Sequence, residues 1–271
     1  MDKKALQNGL LPFQRKRVMC VAGLLLNYNN RSLFHKVVGT AFVSSFTSGR
    51  ASWSYWNSVG VSCGGIALYR DYVVKQHLND YLTQEVFGQK AKYGDDRMLT
   101  QYATLHGDTV YQENAIGYTL MPGNFNHLTR QRIRWWKSFW WGGLWVIKHQ
   151  NISRGVGGLT LSQFMSFILY SVVFPFMMIV YPVLNREPPW AILLYMCLLS
   201  YLRTARTLLT KRAGVSQIRH VLEWIVLAPM SSMLNLYLCS VLQIVSLFKL
   251  KEVRGWGTQA DVEVKMEESQ G

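Results

Sequence analysis

Three acidic and basic residues in the middle of the chain could carry out proton transfer. Asp95 and Asp96 are adjacent, and Arg97 follows them. Neighbouring residues on a strand or a turn point in different directions, so only one of the two carboxylates can face a given pocket. A carboxylate that an arginine holds ionised suits a general base that removes a proton from a hydroxyl group. A solvated turn with a local ion pair explains the same residues, and the sequence leaves both interpretations open.

A second polar group follows further along the chain. Gln131, Arg134 and Trp135 have the i, i+3, i+4 spacing of residues that share one helix face. An arginine can bind a phosphate through two parallel hydrogen bonds, and a tryptophan can stack on a sugar ring or a base. The combination suits a nucleotide-sugar or glycan channel. Anchoring of a helix at a membrane surface explains these residues equally well, because amphipathic helices there are rich in tryptophan and arginine.

A third candidate site is the loop that contains Cys63 and Gly64. The stretch 59–69 is strand-like, but Gly64 and Gly65 interrupt it. Adjacent glycines allow the backbone to turn sharply or to approach a ligand closely. A simple turn is the more common use of such a pair.

The overall charge narrows the classes of partner. The chain of 271 residues has 29 Lys and Arg against 15 Asp and Glu, a formal charge of +14. This balance suits nucleic acid, anionic lipid headgroups or a phosphate-bearing substrate. We do not expect nucleic acid, because there is no basic low-complexity arm and the second half is strongly apolar. The four cysteines show no CxxC spacing, so a zinc site or a disulfide framework is not expected.

Short strands and helices alternate over residues 17–125, which predicts an α/β domain within residues 1–125. Hydrophobic periodicity predicts helices at 33–46, 73–87 and 98–106, and strands at 17–26, 59–69, 109–112 and 115–121. These strands are too few for a closed α/β domain. We therefore expect the domain to be truncated on its N-terminal side.

The rest of the chain predicts membrane α-structure. Residues 126–154 are expected to form interfacial helices, 155–255 a membrane region and 256–271 a polar tail. Two apolar runs, 163–184 and 190–209, are long enough to span a bilayer. Basic residues before the first run and after the second place the 185–189 connector outside. A third run, 222–249, contains Pro229 and has basic residues at both ends, which predicts a broken interfacial or re-entrant element.

The two polar motifs, in this order and before membrane spans, resemble those of membrane-embedded processive family 2 glycosyltransferases. Hyaluronan synthases are the most similar group, with chitin and chitooligosaccharide synthases near them. Their Gly-Asp/Glu-Asp-Arg segment is matched by residues 94–97, and their Gln-x-x-Arg-Trp segment by Gln131, Arg134 and Trp135. Residues 62–65 resemble the acceptor-side Ser-Gly-Pro loop, with Cys63 and Gly65 departing from it. Residues 255–258 resemble a Trp-Gly-Thr segment that includes Trp256.

The resemblance implies a GT-A-like domain on the cytosolic face of the plasma membrane, joined by interfacial helices to a multi-pass transmembrane pore. It implies that Asp96 is the general base, that a UDP-sugar and the growing polysaccharide are the substrates, and that Mg²⁺ or Mn²⁺ bridges the donor diphosphate. The remaining substrate-binding residues that it implies are Asp95, Arg97, Cys63, Gly64, Gln131, Arg134, Trp135 and Trp256.

One departure from the family concerns the donor side. Nothing in residues 1–60 matches the family's nucleotide-binding strands or its Asp-x-Asp metal motif, so no metal ligand is assigned. We therefore expect the acceptor and translocation half of a synthase, inactive alone, with a separate chain supplying the donor-binding half. A non-catalytic membrane scaffold subunit, or a degenerate synthase remnant, is the alternative.

Overall fold

The computed structural model describes residues 1–29, 32–90, 93–152, 155–210 and 216–252. Trp256 and the predicted polar tail lie outside the described residues. The strands within these ranges are β1 Val18–Asn27, β2 Ala67–Tyr69, β3 Glu85–Val86, β4 Gln89–Lys90 and β5 Asp108–Thr119. The helices that precede the membrane region are α1 Ala5–Leu10, α2 Leu33–Ser44, α3 Ala51–Tyr55, α4 Asp71–Gln76, α5 Leu78–Leu82, α6 Asp95–His106 and α7 Phe125–His149.

A three-stranded mixed sheet in the order β2-β1-β5 forms the centre of the first half. The strand β1 is parallel to β5 and antiparallel to β2. All ten residues of β1 are buried, as expected for an apolar run with a neighbour on each edge. The mixed sheet and its surrounding helices confirm the α/β class. The truncated GT-A-like form stays a prediction.

Three predicted boundaries in this half were wrong. The predicted strands 109–112 and 115–121 are one strand, because a register shift between Gly23 and Leu24 of β1 accommodates the intervening residues as a bulge. Only Ala67–Tyr69 of the predicted strand 59–69 is extended in the sheet. The predicted helix 73–87 is divided into α4 and α5, and its last residues belong to the β3–β4 hairpin.

Two further boundaries decide where polar residues lie. The helix α6 begins at Asp95 rather than Met98, so the acidic pair is helical and not in a turn or strand. A π-helical segment, Ser45–Arg50, extends α2 beyond its predicted end and leads into α3. The long helix α7 agrees with the predicted run, and the Asn124 side chain caps it by accepting a hydrogen bond from the His127 backbone N–H.

Three helices in the described second half are long and apolar enough to cross a membrane: Gly155–Asn185, Trp190–Leu209 and Gln217–Phe248. The first consists of α8 Gly155–Ile168, two π-helical segments on either side of Pro175, and α9 Tyr181–Asn185. The second is α10 Trp190–Thr204 with a 3₁₀ turn. The second helix has the predicted limits, 190–209, and the first helix contains the predicted span 163–184.

The third helix, α11 Gln217–Phe248, is continuous through Pro229, so the predicted break there was wrong. Near its start, Glu223 accepts a hydrogen bond of 2.8 Å from Lys36 Nζ of α2. Near its end, Ser246 Oγ accepts one of 3.0 Å from the Trp140 indole N–H of α7. Both ends of α11 therefore contact helices of the first half. An interfacial placement with both ends cytosolic stays a prediction.

Candidate functional site

The acidic pair lies in the first turn of α6, and Asp96 is half-buried whereas Asp95 is exposed. Gly94 precedes them in the left-handed conformation, with φ of 87°. A Cβ at Gly94 would lie 2.6 Å from Ser138 Oγ and 2.7 Å from a ring carbon of Trp141. Glycine is thus required both by the backbone conformation and by the close approach of α7. The start of α6 is held against α7 in this way.

Burial raises the pKa of the Asp96 carboxyl group above its usual range, and the charge of Asp95 raises it further. Arg97 opposes this shift through its charge and through its backbone N–H, which donates a 2.8 Å hydrogen bond to Asp96 Oδ1. Arg97 therefore favours the ionised form of Asp96, as predicted, but desolvation outweighs its charge, so the net shift of the Asp96 pKa is upward. A carboxylate with a raised pKa is a stronger base, which favours proton removal from a hydroxyl group.

A cluster of three hydroxyl groups connects α6 with the candidate loop at residues 62–65. Ser62 Oγ lies 2.6 Å from the Tyr69 hydroxyl oxygen and accepts a hydrogen bond of 2.9 Å from Thr100 Oγ1. Thr100 Oγ1 also lies 2.6 Å from the carbonyl oxygen of Asp96. Thr100 follows the predicted acidic motif but was given no role in the site, although its i+4 spacing from Asp96 places both on one side of α6.

The loop brings its cysteine near the acidic pair. Burial raises the pKa of the Cys63 thiol, the charge of Arg50 lowers it, and the charges of Asp96 and Asp95 raise it further. Gly64 is exposed, and a Cβ there would meet nothing within 4 Å. Cys63 is therefore close enough to Asp96 for their charges to interact, whereas Gly64 faces open space.

Arg50 is a residue of the site that sequence analysis missed. It ends the π-helical segment, and its guanidinium group lies 3.9 Å from the ring centre of Phe46. Its Nε donates a 3.1 Å hydrogen bond to the carbonyl oxygen of Val61, next to the candidate loop. Its charge lowers the pKa of both Asp96 and Cys63. No motif marks this position, because only the wider π-helical turn and the fold bring it to the acidic pair.

The side chain of Arg97 contacts α7. Its guanidinium group lies 5.7 Å from the ring centre of Phe139, and a Cβ at Gly142 would lie 2.5 Å from Arg97 Cδ. Burial lowers the pKa of Arg97 to about 10. The buried Arg97 Nε has no hydrogen-bond partner among the described residues. Arg97 therefore connects the acidic turn to α7, and substrate binding by it stays a prediction.

The residues of the predicted Gln-x-x-Arg-Trp segment lie near different parts of the first half. Arg134 lies close enough to Asp96 and Asp95 for their charges to raise its pKa, although burial lowers that pKa by more. The ring of Trp135 lies 6.1 Å from that of Phe42 in α2, and the Arg132 guanidinium group lies 4.6 Å above it. Gln131 is half-buried on α7. The fold thus brings Arg134 to the acidic pair and Trp135 to α2.

The divalent metal ion implied by the resemblance does not fit the residues present. The described residues contain no group of three or more His, Cys, Asp or Glu side chains that could hold a metal ion. At the candidate site Asp95 and Asp96 are adjacent on one turn, and an adjacent pair points in divergent directions. Within the described residues the acidic pair alone therefore does not supply a metal site, and its role in proton transfer stays a prediction.

Comparison with known proteins supports the resemblance. No family model matches the chain. The chain is 28% identical over 263 residues to a hyaluronan synthase of Streptococcus pyogenes serotype M1, and the match covers 96% of this chain and 60% of that relative. It is 32% identical over 110 residues to human hyaluronan synthase 3, with coverage of 39% and 20%. Mouse hyaluronan synthase 3 matches with the same identity and coverage.

The predicted similarity to hyaluronan synthases is thus confirmed along nearly the whole chain. The chain spans about 60% of the length of the streptococcal relatives that it matches.

Proposed function

We propose that the chain carries the acceptor and translocation part of a processive, inverting glycosyltransferase of the hyaluronan synthase type. Its similarity to hyaluronan synthases supports the transferase class. The observation that carries the proposal is the position of Asp96, a half-buried carboxylate of raised pKa beside the Ser62 loop and Arg134. UDP-sugars and the growing polysaccharide are the substrates that we propose.

In this mechanism Asp96 takes the proton of the acceptor hydroxyl group. The hydroxyl oxygen forms a bond to the anomeric carbon of the donor sugar, and the bond from that carbon to UDP breaks. Arg134 stabilises the negative charge on the departing diphosphate. Inversion follows because the acceptor attacks the face opposite the leaving group. The other residues proposed to contact substrate are Asp95, Arg97, Cys63, Gly64, Gln131, Trp135 and Trp256.

The apolar helices support a place in the bilayer. We propose that the chain is a multi-pass plasma-membrane protein whose first 150 residues face the cytosol, where UDP-sugars are available. The basic residues around the helices support this orientation. A divalent metal ion that neutralises charge on the donor diphosphate would be held by residues outside the described ones, in a separate chain or donor-binding half.

The test is a chimera in which this chain replaces the matching 263-residue region of the streptococcal hyaluronan synthase. In membranes that contain the active chimera, Asp96→Asn should reduce polymer synthesis by about 10²–10⁴-fold, because a general base acts in the chemical step. Binding of the UDP-sugar should change little. The matched control Asp95→Asn should reduce polymer synthesis by a smaller factor, since the Asp95 side chain is exposed.

Arg134→Ala should instead weaken donor binding, because it removes a partner of the diphosphate. Full activity of Asp96→Asn beside an inactive Asp95→Asn would mean that the other carboxylate is the base. Activity of both variants would make the acidic turn structural. A chimera that reaches the membrane but makes no polymer would favour the scaffold or remnant alternative.

A further inference from the structure

A cavity lies between α6, α7 and the β3–β4 hairpin. Its volume is about 370 Å³, within the range of small-molecule sites. Neither Asp96 nor Arg134 lines it, although Trp141 in its wall contacts Gly94 directly before the acidic pair. The cavity is therefore next to the candidate reaction centre but separate from it.

Aromatic rings in fixed orientations form much of the wall of this cavity. Tyr102 stacks on His77 with ring centres 4.4 Å apart, and Trp145 stacks on His149 at 4.5 Å. The rings of Tyr102 and Trp145 meet edge to face at 5.7 Å. These contacts hold both rings in place before any ligand binds, which reduces the entropy cost of binding.

Among the residues of the cavity wall, Phe87 combines a strained backbone conformation with an exposed side chain. It occupies the turn of the β3–β4 hairpin with φ of 53°, followed by Gly88 with φ of 72°. Such two-residue turns favour Asn and Gly, and a bulky side chain at positive φ is strained. The Phe87 side chain is nevertheless 55% exposed, so burial does not compensate for the strain. Strained residues of this kind cluster at active sites and ligand-binding sites.

The polar groups of the wall determine which ligand fits. Asp80 and Glu85 contribute carboxylates, and Gln84 contributes an amide. The indole N–H of Trp141 is buried and has no hydrogen-bond partner among the described residues. Carboxylates accept hydrogen bonds from hydroxyl groups and repel anions. Aromatic faces beside such acceptors match a pyranose ring, which has apolar C–H faces and a rim of hydroxyl groups.

We propose that this cavity is a second carbohydrate-binding site that takes an uncharged hexose or N-acetylhexosamine unit of an oligosaccharide and disfavours a uronate unit. The proposal rests on the proposed glycosyltransferase function, because that function supplies the polysaccharide. Phe87 and the indole rings form the stacking surface, and Glu85 with Asp80 accepts hydrogen bonds from the sugar. The site holds a part of the polymer away from the reacting end.

The experiment measures binding of tetra-N-acetylchitotetraose to the whole chain in lipid nanodiscs by saturation-transfer-difference NMR. Alkyl maltoside detergents are avoided because their headgroups are sugars. Phe87→Ala should weaken binding about tenfold. This variant should fold, because it removes an exposed side chain from a strained turn. The matched control Tyr55→Ala removes an aromatic side chain that is 81% exposed and lies outside the cavity, and it should bind like the wild type.

A second variant tests the ligand class. Glu85→Gln should improve binding of a hyaluronan tetrasaccharide, which carries uronate groups, relative to the chitin oligosaccharide. Equal binding of the chitin oligosaccharide by wild type and Phe87→Ala would overturn the proposal. Absence of oligosaccharide binding, together with protection of a cysteine label at position 87 by lipid, would also overturn it in favour of a lipid chain in the cavity.

Failure here is distinguishable from failure of the proposed function. Asp96 does not line the cavity, so loss of the proposed general base and loss of oligosaccharide binding in the cavity are separate outcomes. Loss of polymer synthesis in the Asp96→Asn chimera, with unaltered oligosaccharide binding by Phe87→Ala, would overturn the second site alone.

Discussion

At the scale of single residues, Asp96 shows how position changes the chemistry of a motif. Its neighbour Arg97 would lower its pKa if both were in solvent. Burial in the first turn of α6 raises the pKa instead, and the charge of Asp95 acts in the same direction. Ionised Asp96 therefore destabilises the folded chain, and burial favours its protonated form.

This state predicts that Asp96→Asn stabilises the folded chain at neutral pH. The folded-state pKa is raised above the unfolded value, so the folded chain binds more protons than the unfolded chain between the two pKa values. Its stability therefore increases as pH falls through the folded-state pKa. Asparagine is neutral at every pH and removes this dependence. Thermal unfolding in nanodiscs should show a higher midpoint for the variant at pH 7.5, and the difference should shrink at lower pH.

The exposed carboxylate of Glu85 provides the matched control. Glu85→Gln removes one negative charge from the β3–β4 hairpin and should leave the midpoint at pH 7.5 close to that of the wild type. A thermal unfolding midpoint of Asp96→Asn below that of Glu85→Gln at pH 7.5 would contradict the predicted stabilisation. In that case the hydrogen bond from the Arg97 backbone N–H would stabilise the ionised form by more than burial destabilises it.

At the scale of elements, the contact between α6 and α7 holds the acidic pair near Arg134. The contact is close because Gly94 and Gly142 have no side chains: a Cβ on either would overlap an atom of the other helix. Gln101 adds a hydrogen bond of 3.0 Å from its amide nitrogen to the Gly142 carbonyl oxygen. The two motifs that are separate in sequence are brought together by this helix pair.

We predict that Gly142→Ala lowers the free energy of unfolding by about 1–3 kcal/mol, the usual cost of overfilling a close contact. The new Cβ would lie 2.5 Å from Arg97 Cδ and 3.0 Å from Gln101 Nε2. The control Gly49→Ala meets nothing within 4 Å and gains helix propensity, so it should be neutral or stabilising. Chemical denaturation followed by tryptophan fluorescence measures both. Equal free energies of unfolding for the two variants would show that α6 and α7 can move apart without loss of stability.

At the scale of the whole molecule, the apolar helices and the basic residues around them predict topology. We predict that the helices Gly155–Asn185 and Trp190–Leu209 cross the membrane as a hairpin whose connector lies outside the cell. In intact cells an impermeant thiol reagent should label Pro188→Cys. The matched variant Lys16→Cys, exposed on the side that we place in the cytosol, should be labelled only after permeabilisation. Labelling of Pro188→Cys only after permeabilisation would reverse the topology.

A second prediction at this scale is whether the chain makes polymer without a donor-binding half. We predict that the purified chain makes no polymer from UDP-sugars with Mg²⁺ or Mn²⁺, because its sequence contains no Asp-x-Asp motif of the kind that the resembled family uses for the donor. Chromatography of radiolabelled products measures this, with the active chimera as the positive control. Polymer synthesis by the chain alone would show that the donor is bound without the family's Asp-x-Asp motif.

The sequence by itself determined those features that depend on local patterns. The buried strand β1, the long helix α7 and the second apolar span all follow from hydrophobic runs and periodicity, because these depend on residues close together in the chain. The two motifs also sufficed to predict similarity to hyaluronan synthases, which the comparisons confirm. Turns were predicted less well: Pro229 does not interrupt its helix, since a proline in a long helix is tolerated where neighbouring helices pack against it.

Only the tertiary structure decided the chemistry of the site. The hydrogen bond between Ser62 and Thr100 joins residues 38 positions apart, and no local pattern encodes it. Arg50 reaches the acidic pair through a π-helical segment that periodicity did not predict. The raised pKa of Asp96 depends on burial, which is a property of everything packed around the side chain. Local sequence therefore predicts elements, whereas desolvation and long-range contacts arise only when distant segments meet.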